Sequence, residues 1–131
     1  MLIDTSGLLC CFDRGDERHN EAAKFFDRGT QRITHNYILL EFVALAQARR
    51  LPREPALRFI ADATVAADLD VIWVDNGLHE RGMSLLATQL DKTYSLCDAV
   101  SFLLMQEQGI SEALTTDRHF DQAGFRRLLS S

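Results

Sequence analysis

The stretches Met-Leu-Ile-Asp-Thr-Ser at residues 1–6 and Ala-Leu-Thr-Thr-Asp at residues 113–117 point to the fold of this chain. Each begins with a short apolar run, typical of a buried strand, and carries an acid just beyond that run, Asp4 in the first and Asp117 in the second. Thr, Ser and Gly occur together over residues 5–7, which predicts a turn after the first strand. Both acids are therefore expected at strand ends.

Strand and helix patterns alternate along the rest of the chain. The predicted strands are Met1–Ile3, Arg32–Thr34, Val71–Val74, Ala113–Thr115 and Phe125–Leu128. The predicted helices are Asp16–Asp27, Asn36–Arg50 with Asn36 as its cap, Pro55–Asp68, Asn76–Leu90 and Ser95–Gly109, and a turn follows over Asp117–Gln122. Such alternation predicts a three-layer α/β/α fold with a mainly parallel central sheet. In such sheets a ligand site lies beyond the carboxyl ends of the strands, where successive crossovers leave in opposite directions.

Length and composition favour one small intracellular domain. The 131 residues, 47% of them hydrophobic, suit a single domain over residues 1–131. The N-terminus lacks the basic and apolar regions of a signal peptide, and no stretch approaches the roughly 20 apolar residues of a membrane span. The three cysteines form neither a disulfide framework nor a CxxC metal pair. We therefore expect a cytoplasmic protein without membrane contact.

The net charge does not favour a general nucleic-acid-binding surface. Fourteen Lys and Arg against nineteen Asp and Glu give a formal charge of −5, whereas such surfaces are basic. Divalent ions held by several acids would reverse the field locally. Arginines cluster over residues 49–53 and 118–127, and solvated helix ends account for most clusters of this kind.

Glu41 is the acid that its neighbours in sequence explain least. It is the only charged residue between Asn36 and Ala48, in a helix that is apolar nearly all round and is therefore expected to be buried. A buried carboxylate without a partner costs several kcal/mol, so Glu41 requires a cation or a hydrogen-bond donor. The alternatives to a metal are a core arginine and a raised pKa that leaves Glu41 neutral.

Three other acids have local explanations as well as a functional one. Asp4 could accept a backbone hydrogen bond in an Asx-turn, and Asp117 could cap the turn that follows it. Ser95 and Asp98 resemble a capping box at the start of a helix. In the functional interpretation, all three acids point at the same strand ends.

A convergence of four carboxylates makes physical sense chiefly as a divalent metal site, because the acids would otherwise repel one another. All-oxygen ligands favour Mg²⁺ or Mn²⁺ over zinc. The histidines form no HxH or HxxxH pair, so we expect surface or packing roles rather than zinc binding for His19, His35, His79 and His119. Ser6 lacks a nucleophile elbow and Cys97 lacks a nearby histidine, which argues against nucleophilic catalysis.

Taken together, four motifs resemble a PIN domain, in particular the small toxins of the VapC type. They are Leu-Ile-Asp-Thr-Ser, the apolar helix with Glu41, Ser-Leu-Cys-Asp-Ala-Val-Ser-Phe, and Ala-Leu-Thr-Thr-Asp-Arg-His-Phe. The resemblance extends from Met1 to about Phe125 and implies an endoribonuclease in which a water activated by metal attacks the phosphodiester. The residues it implies as catalytic ligands of one or two Mg²⁺ or Mn²⁺ ions are Asp4, Glu41, Asp98 and Asp117.

The same resemblance implies further partners and helpers. It suggests a homodimer and a protein antitoxin that inserts a side chain into the acidic site, with RNA as the substrate. Thr115 and Asp121 are candidates for hydrogen bonding near the metal, although turn roles also explain both.

Two other functions compete with this interpretation. A phosphoryl-transfer enzyme of the haloacid dehalogenase type needs a second Asp two residues after the first, where this chain has Ser6, and a receiver domain needs a late lysine, whereas no lysine follows Lys92. A non-catalytic PIN-like nucleic-acid-binding module would have lost one or more of the acids, and all four are present.

Overall fold

The computed structural model describes residues 1–130. Its strands are β1 Leu2–Ile3, β2 Ile33–His35, β3 Asp70–Ile72, β4 Glu112–Leu114 and β5 Arg126–Arg127. Its helices are α1 Thr5–Phe12, α2 His19–Arg28, α3 Asn36–Ala48, α4 Arg53–Val65, α5 Asn76–Thr88, α6 Leu96–Gln108 and α7 His119–Gln122.

The five strands form one sheet in the order β3-β2-β1-β4-β5, and every paired neighbour is parallel. This confirms the predicted α/β/α fold with its parallel sheet. The chain proceeds outward from β1 to β2 and β3 and then returns to the other side of β1 at β4. The crossovers therefore diverge between β1 and β4, and the carboxyl ends of these two strands border the crevice where ligands bind in such sheets.

The central strands lie at the middle of the core. Leu2 and Ile3 of β1 and Ala113 and Leu114 of β4 are all fully buried, as expected of parallel strands covered by helices on both faces. An aromatic contact packs α6 against α7, since the rings of Phe102 and Phe120 meet edge to face with centroids 5.1 Å apart. Apolar packing thus surrounds the sheet edge that carries Asp4.

The predicted turn over residues 5–7 is wrong, because α1 begins at Thr5 and Asp4 occupies its N-cap position. Gly7 favoured the turn in sequence, but its role is close packing. A Cβ on Gly7 would overlap the carbonyl oxygen of Leu114, so this face of α1 lies directly on β4. A glycine within a helix that packs this closely cannot be distinguished from a turn glycine by sequence alone.

Two other helix starts differ from the prediction. Helix α2 begins at His19 rather than Asp16, because the Asp16 carboxylate accepts the Arg18 backbone N–H at 2.8 Å and closes a turn before the helix. Helix α3 is capped by His35 rather than Asn36, whose Oδ1 instead accepts the Val74 backbone N–H at 2.6 Å. The predicted turn over residues 117–122 contains the short helix α7.

The remaining elements are confirmed with boundaries shifted by a few residues. Helix α6 has both predicted ends, Ser95 as its N-cap and Gly109 in the left-handed conformation with φ 66°. None of the helices formed by residues 1–130 has the length and apolar character that crossing a membrane requires.

We predict that Gly7→Ala lowers the free energy of unfolding by about 2 to 3 kcal/mol, because the added methyl group forces α1 away from β4. Urea denaturation measures this change. Gly77→Ala is the matched control, since the nearest atom to its added methyl group is 3.6 Å away and alanine favours a helix. Equal stability of the two variants would contradict close packing of α1 on β4.

Candidate metal centre

Asp4 lies at the end of β1 with its side chain almost completely buried. Its carboxylate makes no capping hydrogen bond to α1, so a helix-capping role does not explain it. Instead, Oδ2 accepts a hydrogen bond from the Thr115 hydroxyl at 2.8 Å, across from the end of β4. The carboxyl ends of the two central strands are therefore joined through this acid.

Thr115 connects three groups at this strand end. Its hydroxyl proton is used on Asp4, so the Ser6 hydroxyl, 3.1 Å away, donates to Thr115 Oγ1. The same oxygen accepts the Asp117 backbone N–H at 3.0 Å, and Ser6 Oγ accepts the Thr116 N–H at 2.9 Å. Thr115 therefore combines a role in the turn before Asp117 with direct contact with Asp4.

Asp98 forms the predicted capping box at the start of α6. Its N–H donates to Ser95 Oγ, and the Ser95 N–H donates back to Asp98 Oδ2, each at 3.0 Å. The side chain is nevertheless buried, and His119 Nδ1 also lies 2.8 Å from Oδ2. Because both neighbours bind Oδ2, capping leaves Oδ1 for another partner.

Asp117 also keeps its predicted local role. Its Oδ1 accepts the His119 backbone N–H at 2.9 Å and so shapes the turn that leads into α7. Ligand atoms of Asp98, Asp117 and His119 all lie within 4.8 Å of one another. Asp121, the further candidate for hydrogen bonding near the metal, instead forms an ion pair with Arg127 at 2.8 Å.

Glu41 lies on α3 and is half-buried. The expectation that this helix is buried on all sides is wrong, because Leu40 is 71% exposed. Within residues 1–130, Glu41 pairs with no lysine or arginine, so a core arginine does not explain it. Its negative charge raises the pKa of Asp4 and that of Cys97.

Electrostatic interactions link Asp4 to Asp98 and Glu41, and Asp98 to Asp117. Among residues 1–130, however, the one group of three whose ligand atoms lie within 4.8 Å of one another is Asp98, Asp117 and His119, without Asp4 or Glu41. The pKa of Asp4 is raised to about 7, mainly by burial and also by the charges of Asp98 and Glu41, while hydrogen bonds from Thr115 and Thr5 oppose the shift. Burial and the charge of Asp117 raise the pKa of Asp98. Because these ligands are carboxylate oxygens and carry surplus negative charge, they suit a hard divalent cation such as Mg²⁺ or Mn²⁺.

Three of the four histidines have the packing roles that the sequence predicts, and the fourth, His119, does not. His35, completely buried, has its pKa lowered to about 3 by burial, His79 bonds the Tyr37 hydroxyl, and His19 Nδ1 lies 2.8 Å from the Cys10 carbonyl oxygen. His119 instead lies among the acids. Its position two residues after Asp117 was the available signal, but its contact with Asp98 depends on how α7 packs.

A buried hydrogen-bond chain connects the helices that carry Glu41 and Asp98. His35 Nδ1 accepts the Ile38 N–H at the start of α3, so Nε2 carries the proton and donates to Ser101 Oγ at 2.8 Å. Ser101 in turn donates to the Cys97 carbonyl oxygen at 2.9 Å. The chain ends at the residue before Asp98, so it fixes the spacing of α3 and α6 at the crevice.

Known proteins resemble this chain in sequence and in fold. A family model described as PIN domain matches residues 1–126. This chain belongs to the PIN-domain family. The 23S rRNA-specific endonuclease VapC20 of Mycobacterium tuberculosis is 27% identical to this PIN domain over 126 residues, which are 95% of each chain. A crystal structure of VapC20 from the same organism, described as a sarcin-ricin loop cleaving toxin, matches it with a TM-score of 0.85 at 29% identity, again over 95% of each chain.

We predict that Asp4 makes the metal-free protein less stable as the pH rises. The pKa of this group rises from 3.8 to about 7 on folding, so its contribution to stability is complete below about pH 4 and is lost between about pH 4 and 7. In the presence of a chelator, Asp4→Asn should therefore gain stability relative to wild type across this range, by about 2 to 4 kcal/mol at pH 7.

Urea denaturation at a series of pH values measures this difference. His35 contributes with the opposite sign, because its lowered pKa costs stability as the pH falls below its ordinary value of 6.5. Both proteins contain His35, so its contribution cancels in the comparison. Parallel pH profiles for wild type and Asp4→Asn would show that the buried carboxyl group does not titrate as described.

Proposed function

We propose that this PIN domain is an Mg²⁺- or Mn²⁺-dependent endoribonuclease, the toxin of a toxin–antitoxin pair, and that it cleaves 23S rRNA. The single observation that carries the proposal is the set of acids beside the strand ends where the crossovers diverge. Asp98 and Asp117 lie together there, and the buried Asp4 interacts electrostatically with Asp98 and Glu41. The likeness to VapC20 over nearly the whole chain supports the substrate class.

In this proposal Asp4, Glu41, Asp98 and Asp117 hold the metal and are the catalytic residues. Divalent ions held by these acids would supply charge stabilisation at the phosphate and a lower pKa for a water molecule. The chain's own contribution is orientation. Thr115 fixes Oδ2 of Asp4, the Ser95 N–H fixes Oδ2 of Asp98, and the His119 N–H fixes Oδ1 of Asp117.

The competing functions gain no support from these observations. Ser6 stands where a haloacid dehalogenase would have its second acid, and its hydroxyl is already engaged with Thr115 and the Thr116 N–H. A binding module without catalysis would not need four acids in one crevice, where their mutual repulsion costs stability. The comparisons likewise favour the nuclease.

Arg126 and Arg127 do not provide an obvious RNA-binding surface. Arg126 pairs with Glu112 at 3.0 Å and Arg127 with Asp121 at 2.8 Å, so nearby acids offset both charges. With a formal charge of −5 for the chain, we propose that ions bound by the acids provide much of the attraction for the phosphate to be cleaved.

We also propose two protein partners. An antitoxin fits the groove between α1, α2 and α4, a cavity of about 320 Å³ with Phe26 and Phe59 in its apolar lining and Asp27, Asp62 and Asp68 among its acids. Such a groove suits an amphipathic segment with basic residues. A second copy of the chain, in a homodimer, would cover exposed apolar side chains such as Leu40 and Trp73. Cleavage of ribosomal RNA would place the protein in the cytoplasm.

The first test is cleavage of an RNA hairpin that carries the sarcin-ricin loop of 23S rRNA. We expect cleavage by the wild type with Mg²⁺ or Mn²⁺, no cleavage with a chelator, and a loss of at least about 100-fold in Asp98→Asn, because one charged ligand of the metal is removed. Gel electrophoresis of end-labelled RNA measures each rate.

Two controls make this assay specific. Glu80→Gln removes a negative charge from an exposed position on α5 and should cleave as the wild type does. Thermal unfolding of Asp98→Asn establishes that the variant is folded. Equal cleavage by wild type and folded Asp98→Asn would refute the metal site. Cleavage of a hairpin of unrelated sequence at the same rate as the sarcin-ricin hairpin would refute the proposed substrate.

The second test concerns toxicity in a bacterial host. Induced expression of the wild type should arrest growth, and Asp4→Asn, which lacks one charged ligand, should not. Growth curves measure the effect, with immunoblots of the soluble fraction to show equal amounts of both proteins. Normal growth at high soluble expression of the wild type would count against a toxin and leave a nuclease with another role.

A further inference from the structure

His119 is not one of the four acids, but it contacts two of them. Its ring atom Nδ1 lies 2.8 Å from Asp98 Oδ2 and 3.5 Å from Asp117 Oδ1. Its backbone N–H donates to Asp117 Oδ1 at 2.9 Å. Because Asp98 and His119 belong to different helices, this side chain joins the start of α6 to the start of α7.

The hydrogen bonds of His119 determine which ring nitrogen carries the proton. A carboxylate is only an acceptor, so Nδ1 donates to Asp98, and in the neutral ring Nε2 keeps its lone pair. Nε2 lies 3.0 Å from the Thr93 hydroxyl, which donates to it when the ring is neutral. The ring of Tyr94 meets the imidazole edge to face, with centroids 5.4 Å apart. The imidazole is thus held at both nitrogens and packed against an aromatic ring.

These contacts determine how Asp98 presents its two oxygens. Oδ2 receives both the Ser95 N–H at 3.0 Å and the His119 Nδ1–H at 2.8 Å. Two donors on one oxygen fix the plane of the carboxylate and leave Oδ1 for another partner. Hydrogen bonds of this kind to a metal ligand hold its orientation and strengthen metal binding.

We propose that His119 is a positioning residue, which orients Asp98 for metal binding through Nδ1 and is itself aligned by Thr93 through Nε2. It does not coordinate the ion, because both ring nitrogens already have partners. The segment between α5 and α6 that contains Thr93 thereby becomes part of the site. This inference rests on the proposed metal-dependent function.

The test measures Mn²⁺ binding by the full chain without RNA, using electron paramagnetic resonance of free Mn²⁺ during a titration. His119→Asn keeps a donor near the position of Nδ1, whereas His119→Gln places its amide near Nε2 and His119→Ala removes both contacts. We expect Mn²⁺ affinity about 10- to 100-fold weaker in His119→Ala and His119→Gln, but within about threefold of wild type in His119→Asn. Rescue by asparagine alone separates positioning of Asp98 from general support of the fold.

Two further measurements sharpen the test. Thr93→Val should weaken Mn²⁺ binding less than His119→Ala, because it removes only the alignment of the ring. Electron spin-echo spectra of the Mn²⁺-loaded wild type should show no directly bound ¹⁴N. If His119→Ala fails to fold, the comparison of His119→Asn with His119→Gln still decides the proposal.

Several results would overturn the positioning role. They are unchanged Mn²⁺ affinity in folded His119→Ala, an equal loss in His119→Asn and His119→Gln, and a bound ¹⁴N signal that disappears in His119→Asn. The proposed function has its own control in the same titration. If Asp98→Asn binds Mn²⁺ as tightly as the wild type does, the proposed metal site is wrong, and the proposed role of His119 is wrong as well. If Asp98→Asn weakens Mn²⁺ binding and His119→Ala does not, only the positioning role is refuted.

Discussion

The burial of the Asp4 carboxylate beside other negative charges is the constraint on which the rest of the site depends. Apolar strands and helices surround this acid, so burial opposes its ionised form, and Asp98 and Glu41 oppose it further. The hydrogen bond from Thr115 offsets only part of that cost. A site of this kind lowers the stability of the metal-free chain, and a divalent cation is the partner that would return that stability as binding free energy.

Neutral polar side chains hold the acids in place without adding charge to the core. His35 keeps one proton because its burial lowers its pKa to about 3, and through Ser101 it joins α3 to the Cys97 carbonyl oxygen of α6. A lysine or arginine in the same place would neutralise the acids and compete with a metal. A buried neutral histidine instead satisfies its hydrogen bonds and leaves the negative charge available.

The sequence predicted what depends on neighbours along the chain. The capping box of Ser95 and Asp98 is local, and the placement of acids at parallel strand ends follows from the strand pattern alone. The helical start of α1 could not be predicted in this way, because it depends on packing of Gly7 against Leu114. For the same reason His119 was assigned to packing or the surface, since its contact with Asp98 is made between two helices.

Local and functional roles of these acids are compatible, because a carboxylate has two oxygens. Asp98 uses Oδ2 for the capping box and for His119, which leaves Oδ1 for another partner. The position of two of these acids at helix N-termini also lowers the electrostatic cost of their negative charge. Asp4 stands at the N-cap of α1 and Asp98 in the first turn of α6, and the positive end of a helix dipole stabilises a negative charge there. The helix starts that position Asp4 and Asp98 therefore also lessen the cost of bringing two negative charges near each other before any ion binds.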